Sequence, residues 1–255
     1  MLDTSTVVAR LRAAGCVFAE DEADLLIAAA TTPAELDSLV ERRVAGLPLE
    51  HLLGWAEFHG LRISLRPGVF VPRHRTEFLV DVAVSLAPPQ PVVLDLCCGS
   101  GALGAAFSAV VAPRELHAAD VEPAAVSCAR VNLPGAGVHQ GDLYDALPSS
   151  LGGRVDVLMA NVPYVPSDAV ATMPPEARLH EPRVALDGGA DGLDLARRVA
   201  AGAYRWLAPG GSLLVESSER QAPVLSGIFT AAGLTPRVHE SEELGATVVT
   251  GTAIP

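Results

Sequence analysis

The sequence lacks a metal-ligand spacing, an apolar run of bilayer length and a block of basic residues. Its four cysteines, Cys16, Cys97, Cys98 and Cys128, show no paired spacing. Neither a disulfide framework nor a metal site is therefore expected, and a reduced, cytoplasmic chain is the simplest expectation. The opening stretch MLDTSTVVARLRAAG is helical in pattern and has no long apolar core, so neither a signal peptide nor a membrane span is expected. The formal net charge of −12 leaves no basic stripe for non-specific nucleic-acid binding. It serves solubility first, and it is compatible with small-molecule chemistry or with a basic protein partner. Internal repeats and low-complexity tails are absent as well.

What is present is enough apolar sequence for a core. Of 255 residues, 49% are hydrophobic and 19% charged, which suits one large domain, alone or with a small appendage. Residues 4–14, 20–30 and 33–46 read as three short helices. Thr4 or Ser5 caps the first; Pro33 and Glu35 open the third, and Gly46 closes it. PLEHLLG adds a further turn. The period then changes, and AEFHGLRISLRPGVFVPR, with Gly60 and Pro67-Gly68 as turn signals, reads as a small hairpin. The expected domains are thus a helical unit at 1–54, a β-hairpin connector at 55–75 and an α/β domain at 76–255. In the last of these, apolar strands PVVLDL, ELHAAD, GVHQGDLY, RVDVLMA, GGSLLVESS, TPRVHE and GATVVTGTAI alternate with helical stretches, one of them over residues 191–207. Such alternation predicts a doubly wound, mainly parallel sheet. The Pro/Gly-rich stretch from 161 to 192 reads as a long loop of the kind that usually carries function.

GSGALG, residues 99–104, satisfies G-x-G-x-x-G between a strand and a helix, and Asp120 ends the next strand. Glycines let a ligand approach the backbone, and a carboxylate about 20 residues on accepts ribose hydroxyls. Alone, this admits NAD, S-adenosylmethionine or another nucleoside cofactor. Three details favour S-adenosylmethionine. Asp95 lies in the strand just before the loop, where it suits a cofactor bearing a sulfonium and an amino group better than a pyrophosphate. The third strand ends in Gly141-Asp142-Leu143, offering an acceptor for an adenine amino group and an apolar wall for its ring. The fourth strand ends in LMANVPYVP, a stiff polar corner that a dehydrogenase has no evident use for.

Methyl transfer from such a cofactor is an in-line displacement, so the enzyme chiefly has to hold a nucleophile behind the methyl. The side-chain oxygen of Asn161 and the carbonyl of Val162 can each take one N–H of a planar NH₂ group. Tyr164 can stack on that plane or wall the pocket, with Pro163 stiffening the bend. This suits an amide or an exocyclic amine, both weak nucleophiles that need placement and desolvation. No Ser/His/Asp or Cys/His set is required; Cys97 and Cys98 pack or line the cofactor site.

The chain resembles the HemK/PrmC family of protein N5-glutamine methyltransferases. RRVAGLPLEHLLGWAEFHGLRISLRPGVFVPRHRTEFLV is similar to the family's interdomain segment, VLDLCCGSGALG to its cofactor loop, and AADVEPAAVSCARVN to its second strand and helix. EPRVALDGGADGLD and LAPGGSLLVESSERQ resemble further family stretches. The resemblance implies a Rossmann-like class I methyltransferase domain with a seven-stranded sheet whose last strand is antiparallel, preceded by a helical domain. It implies S-adenosylmethionine as cofactor, held by Asp95, Cys97, Cys98, Gly99, Ser100, Gly101, Asp120, Asp142, Leu143 and Asn161. The catalytic corner would be Asn161, Val162, Pro163 and Tyr164, and the substrate the glutamine of a Gly-Gly-Gln loop in a peptide-chain release factor. The family pattern is Asn-Pro-Pro-Tyr, with Val162 here in place of the first proline. The backbone carbonyl survives that change, and Pro163 already biases Val162 to the extended region. Losing the first proline costs roughly 0.4–1 kcal/mol of pre-organisation. Two alternatives stand beside this reading: methylation of an exocyclic amine on a nucleic-acid base or a small molecule, and a nucleotide-binding dehydrogenase or non-catalytic module. Around the corner, His74 reads as an exposed turn residue, Arg73 and Glu77 as braces, Glu181 and Arg183 as residues of the pocket mouth or a surface pair, and Trp55 and Trp206 as packing residues.

Overall fold

The computed structural model describes residues 3–254; residues 1, 2 and 255, at the outer ends of the two expected domains, lie outside the described residues. The chain begins with α1 (Thr4–Ala13), α2 (Ala19–Ala29) and α3 (Pro33–Val44), followed by the single turn α4 (Leu49–Leu53). The cap of α1 is Asp3, whose carboxylate accepts from the Thr6 N–H at 2.7 Å, and not Thr4 or Ser5, which lie inside the first turn. A carboxylate there also meets the positive end of the helix dipole. At α3 the Thr32 hydroxyl accepts from the Glu35 N–H while the Glu35 carboxylate accepts from the Thr31 N–H. The apolar faces, including Val7, Leu11, Leu26 and Val40, form a cluster of their own. Within it Arg43 pairs with Glu22 at 2.5 Å, both side chains nearly buried.

β1 (Trp55–Phe58) and β2 (Leu61–Ser64) form an antiparallel hairpin. Its two-residue loop, His59-Gly60, has positive φ at both positions (51° and 72°), the turn whose twist matches the flanking strands. Then come α5 (Glu77–Leu86), β3 (Val92–Leu96), α6 (Ala102–Val110), β4 (Glu115–Asp120), α7 (Pro123–Asn132), β5 (Gly137–Gln140) and β6 (Val155–Ala160). α8 (Pro175–His180), α9 (Asp194–Ala203), β7 (Leu207–Ser217), α10 (Ala222–Ala231), β8 (Leu234–Ser241) and β9 (Ala246–Ala253) complete the chain. The sheet order is β5-β4-β3-β6-β7-β9-β8, with β9 antiparallel to both neighbours and the other pairs parallel. This is the α/β, Rossmann-like arrangement expected, with its antiparallel last strand. Pro236 is accommodated because β8 is an edge strand.

Two expectations change in detail. The helix expected over 191–207 spans only Asp194–Ala203, because Leu207 pairs with Val155 and is drawn into β7. Tertiary pairing overrides local helix preference there. The stretch from 161 to 192 is not a bare loop: it contains α8 and two short 3-10 turns, at Val170–Thr172 and Arg183–Ala185.

Alternation along the central strands sorts side chains between two layers. Leu94, Leu96, Leu158, Leu213 and Val215 pack with α9 and α10, whereas Val93, Met159 and Leu214 pack with α5 and α6. Continuing the period places Asp95, Asn161 and Glu216 on the α5/α6 side, at the carboxyl ends of β3, β6 and β7. Ligands in sheets of this kind bind at those ends.

Candidate active site

A cavity of about 340 Å³ opens at the carboxyl ends of β3, β4 and β6. Its size falls within the usual range for a ligand pocket. Cys97, Cys98, Gly99, Ser100, Asp120, Asp142, Leu143, Asn161, Val162, Pro163 and Tyr164 all line it, so most of the residues expected from sequence converge on one space. Two of the expected cofactor residues, Asp95 and Gly101, are not among its lining residues. Asp95 lies one layer below: the strand alternation turns it under α6, where one carboxylate oxygen accepts from the Gly104 N–H at 3.0 Å. Gly101, at φ 79°, faces α7; a Cβ there would stand 2.9 Å from Leu133 and 3.2 Å from the Ala129 Cα. At that position glycine allows the close approach of α7.

The loop between β3 and α6 is tied to the next strand. Asp120 accepts from the Gly99 N–H and the Glu122 N–H, each at 2.9 Å, and the Cys98 N–H donates to the Ala119 carbonyl. Cys97 holds a positive φ of 58° and Gly99 one of 53°, which turns the backbone sharply at the strand end. Burial pushes the Cys97 and Cys98 thiols up, aided by the nearby Asp120 and Asp95 charges, so both remain neutral at physiological pH. Asp95 is fully buried, its other oxygen has no partner among the described residues, and burial pushes its carboxyl up to about 8. Burial also raises Asp120. Asp142 is exposed enough to pair with Arg198 of α9 at 2.7 Å.

The corner after β6 is braced from outside. Gln221 donates to the Tyr164 carbonyl at 3.0 Å and to the Asp191 carbonyl at 2.9 Å. Val165 makes two further backbone bonds around it: its N–H donates to the Leu186 carbonyl, and its carbonyl accepts from the Gly188 N–H. The turn 188–192 lies so close that a Cβ on Gly188 would stand 2.6 Å from the Pro163 carbonyl oxygen, and one on Gly192 would overlap that of Tyr164. Only glycine fits at those two positions. Among the described residues the Val162 carbonyl accepts no hydrogen bond, and the Asn161 amide makes one long contact, Nδ2 to the Thr76 hydroxyl at 3.5 Å. Two oxygens, Asn161 Oδ1 and the Val162 carbonyl, are thus left unused by the protein beside the cavity.

Three lining residues have no role assigned from the sequence. Arg75 donates to the Tyr164 hydroxyl at 2.6 Å and to Glu216 Oε1 at 3.2 Å, and the Tyr164 hydroxyl donates to the same Oε1 at 3.0 Å. Thr76 faces Asn161. An acid ending a buried strand, as Glu216 does in SLLVES, is the one signal that could have pointed there; nothing local marks Arg75. Of the residues flanking the site, Glu181 is a buried brace, accepting from Arg73 at 2.6 and 2.7 Å and from the Val71 N–H at 3.2 Å. Arg183 pairs with Asp187 at the surface, His74 is exposed and touches Glu77, and Glu77 accepts from the His59 N–H. Trp206 packs in the core, stacked on Tyr144, and Trp55 lies under the Arg62 guanidinium.

A sheet of this order, with a cavity at its strand ends, defines the class I methyltransferase fold. A methyltransferase from Pyrococcus furiosus shares it, with a TM-score of 0.59 at 14% identity over 77% of this chain and 90% of that one. Residues 60–189 match the methyltransferase small domain family. A release factor glutamine methyltransferase of Streptomyces coelicolor is 40% identical over 198 residues, covering 75% of this chain and 70% of that protein. A 4-amino-L-phenylalanine/4-methylamino-L-phenylalanine methyltransferase of Streptomyces pristinaespiralis is 35% identical over 241 residues, covering 91% and 82%. The chain belongs to the methyltransferase small domain family and, within it, to the HemK/PrmC group. No described helix is long and apolar enough to cross a membrane.

Proposed function

We propose that this chain methylates the side-chain amide nitrogen of a protein glutamine, in the Gly-Gly-Gln loop of a peptide-chain release factor, with S-adenosylmethionine as donor. The observation that carries the reading is the pair of unused oxygens, Asn161 Oδ1 and the Val162 carbonyl, on a braced bend in the same cavity as Asp120 and Leu143. The residues suit the donor. Asp120 keeps acceptor capacity toward ribose hydroxyls beyond its two backbone bonds, Leu143 offers an apolar wall, and Asp142 an acceptor for an amino group. Asp95, beneath the loop, provides a buried carboxyl with one oxygen unpartnered among the described residues, for which nearby positive charge is favourable.

When bound, S-adenosylmethionine supplies an electrophilic methyl on a sulfonium. Asn161 and Val162 each accept one N–H of the substrate NH₂, which fixes the plane of the amide and aims its nitrogen. Tyr164 walls that plane, and Pro163 with the 188–192 turn keeps the bend from relaxing. The apolar lining excludes water from a nucleophile that is weak when solvated. The expected domains, helical 1–54, hairpin 55–75 and catalytic 76–255, divide the work between partner choice and chemistry, in the cytoplasm.

A second reading keeps the chemistry and replaces the acceptor with the arylamine of a small amino acid. It is favoured by the longer match, 91% of this chain against 75%, to the relative named for 4-amino-L-phenylalanine. Incubation with a labelled donor separates the two. Methyl on the Gly-Gly-Gln glutamine of a release factor, located by mass spectrometry, is expected; methyl on 4-aminophenylalanine alone would replace the protein acceptor.

A further inference from the structure

A second cleft, of about 450 Å³, adjoins the acceptor cavity, and the two share Arg75, Tyr164 and Glu216. It runs from the carboxyl end of β7 to the turn between β8 and β9. Its charged lining comprises Glu216, Glu219, Glu240 and Glu242 against a single cation, Arg75. Glu219, Glu240 and Glu242 are exposed and form no ion pair among the described residues. Glu216 differs from them: it is only 3% exposed, Oε1 is engaged by Arg75 and Tyr164, and Oε2 has no partner among the described residues. A buried carboxylate oxygen without a donor is costly unless a ligand supplies one. The β6–β7 register, continued one step past the Ala160–Val215 pair, sets Glu216 beside Asn161, and Glu216 lines both spaces.

Resting on the protein-glutamine reading, we propose that this acidic cleft binds an arginine or lysine side chain of the substrate polypeptide close to the acceptor residue. Glu216 Oε2 accepts an N–H from the incoming segment at the boundary of the two spaces. Glu219, Glu240 and Glu242 hold the cationic group in the outer part. Charge complementarity commits the occupant: with one guanidinium already neutralised by Glu216, the remaining carboxylates leave the cleft net negative, which repels an acidic segment and attracts a basic one.

Two synthetic Gly-Gly-Gln peptides of equal length, one flanked by arginines and one by serines, test this on the full chain with S-adenosylhomocysteine bound. Binding is read by fluorescence anisotropy, and methylation is read separately. The arginine peptide is expected to bind at least about fivefold more tightly at low salt, an advantage that shrinks with added salt. The double variant Glu240→Gln/Glu242→Gln should lose most of that advantage, with the serine-flanked peptide and the melting temperature unaffected. In turnover the same variant should raise KM for the arginine peptide alone, leaving kcat unchanged. Equal binding of the two peptides, or no binding of either, overturns the proposal. If the arginine peptide binds preferentially but neither is methylated, the cleft stands and the glutamine acceptor falls; equal KM with both methylated leaves the acceptor standing and removes the cleft.

Discussion

Arg75 donates to the Tyr164 phenol oxygen at 2.6 Å, and that phenol donates onward to Glu216 at 3.0 Å. The ring that walls the acceptor corner is therefore held through its far end, by a cation on the turn before α5 and an anion at the end of β7. Burial and the Glu216 charge push the phenol's pKa up, so it remains a donor at physiological pH.

Tyr164→Phe removes both bonds and keeps the ring. A hydrogen bond to a charged group contributes about 1.5–3 kcal/mol, so turnover is expected to fall roughly 10- to 100-fold as the ring loses its anchor. Affinity for S-adenosylhomocysteine, measured by calorimetry, should be unchanged.

Gly188→Ala forces a methyl to within 2.6 Å of the Pro163 and Gly192 carbonyl oxygens. Either the 188–192 turn or the corner must move. The expected loss is about 1–3 kcal/mol in urea unfolding, with turnover reduced beyond what the unfolded fraction explains. Gly227, where a Cβ meets nothing within 4 Å, is the control: Gly227→Ala should leave both quantities intact or improve stability.

The Asp95 carboxyl ionises at about 8 in the folded chain because it is buried, with the Gly104 N–H opposing the rise and the Asp120 charge adding to it. Its unfolded counterpart ionises near pH 4. The folded state thus holds a proton that the unfolded state releases, and this contribution to stability is lost as pH rises from about 4 to about 8. Asp95→Asn removes that slope. The melting temperature of the variant relative to the parent, without cofactor, should rise between about pH 5 and about pH 8; a constant difference would contradict the burial of an uncompensated carboxyl.

Arg43→Met leaves the nearly buried Glu22 without its partner and severs the 3.3 Å contact from α3 to Glu176 of α8. Removing one member of a buried pair costs about 3–5 kcal/mol. Hydrogen exchange should report the loss in α1, α2 and α3, and α8 should gain exchange with them.

The architecture is legible in the sequence because the central strands β3, β6, β7 and β9 are largely apolar runs with turn signals near their ends. The corner is legible because Asn161 breaks such a run, and Pro163 and Pro166 stiffen the chain beyond it. The place of Asp95 beside the glycine loop is legible, but its position beneath α6, outside the cavity lining, is set by strand alternation, a matter of which face a residue occupies. Arg75 and Glu216 meet across 141 positions of chain, and no local pattern reports a contact of that kind. The shortened α9 has the same origin, since Leu207 joins β7 only because Val155 is there to pair with it.

Asn161→Ala probes the acceptor site most directly. Calorimetry with S-adenosylhomocysteine and single-turnover methylation, both on the folded variant, should give cofactor affinity near that of the parent and turnover below detection. Turnover persisting at an appreciable rate with that oxygen gone would contradict the placement of the substrate NH₂ between Asn161 and Val162.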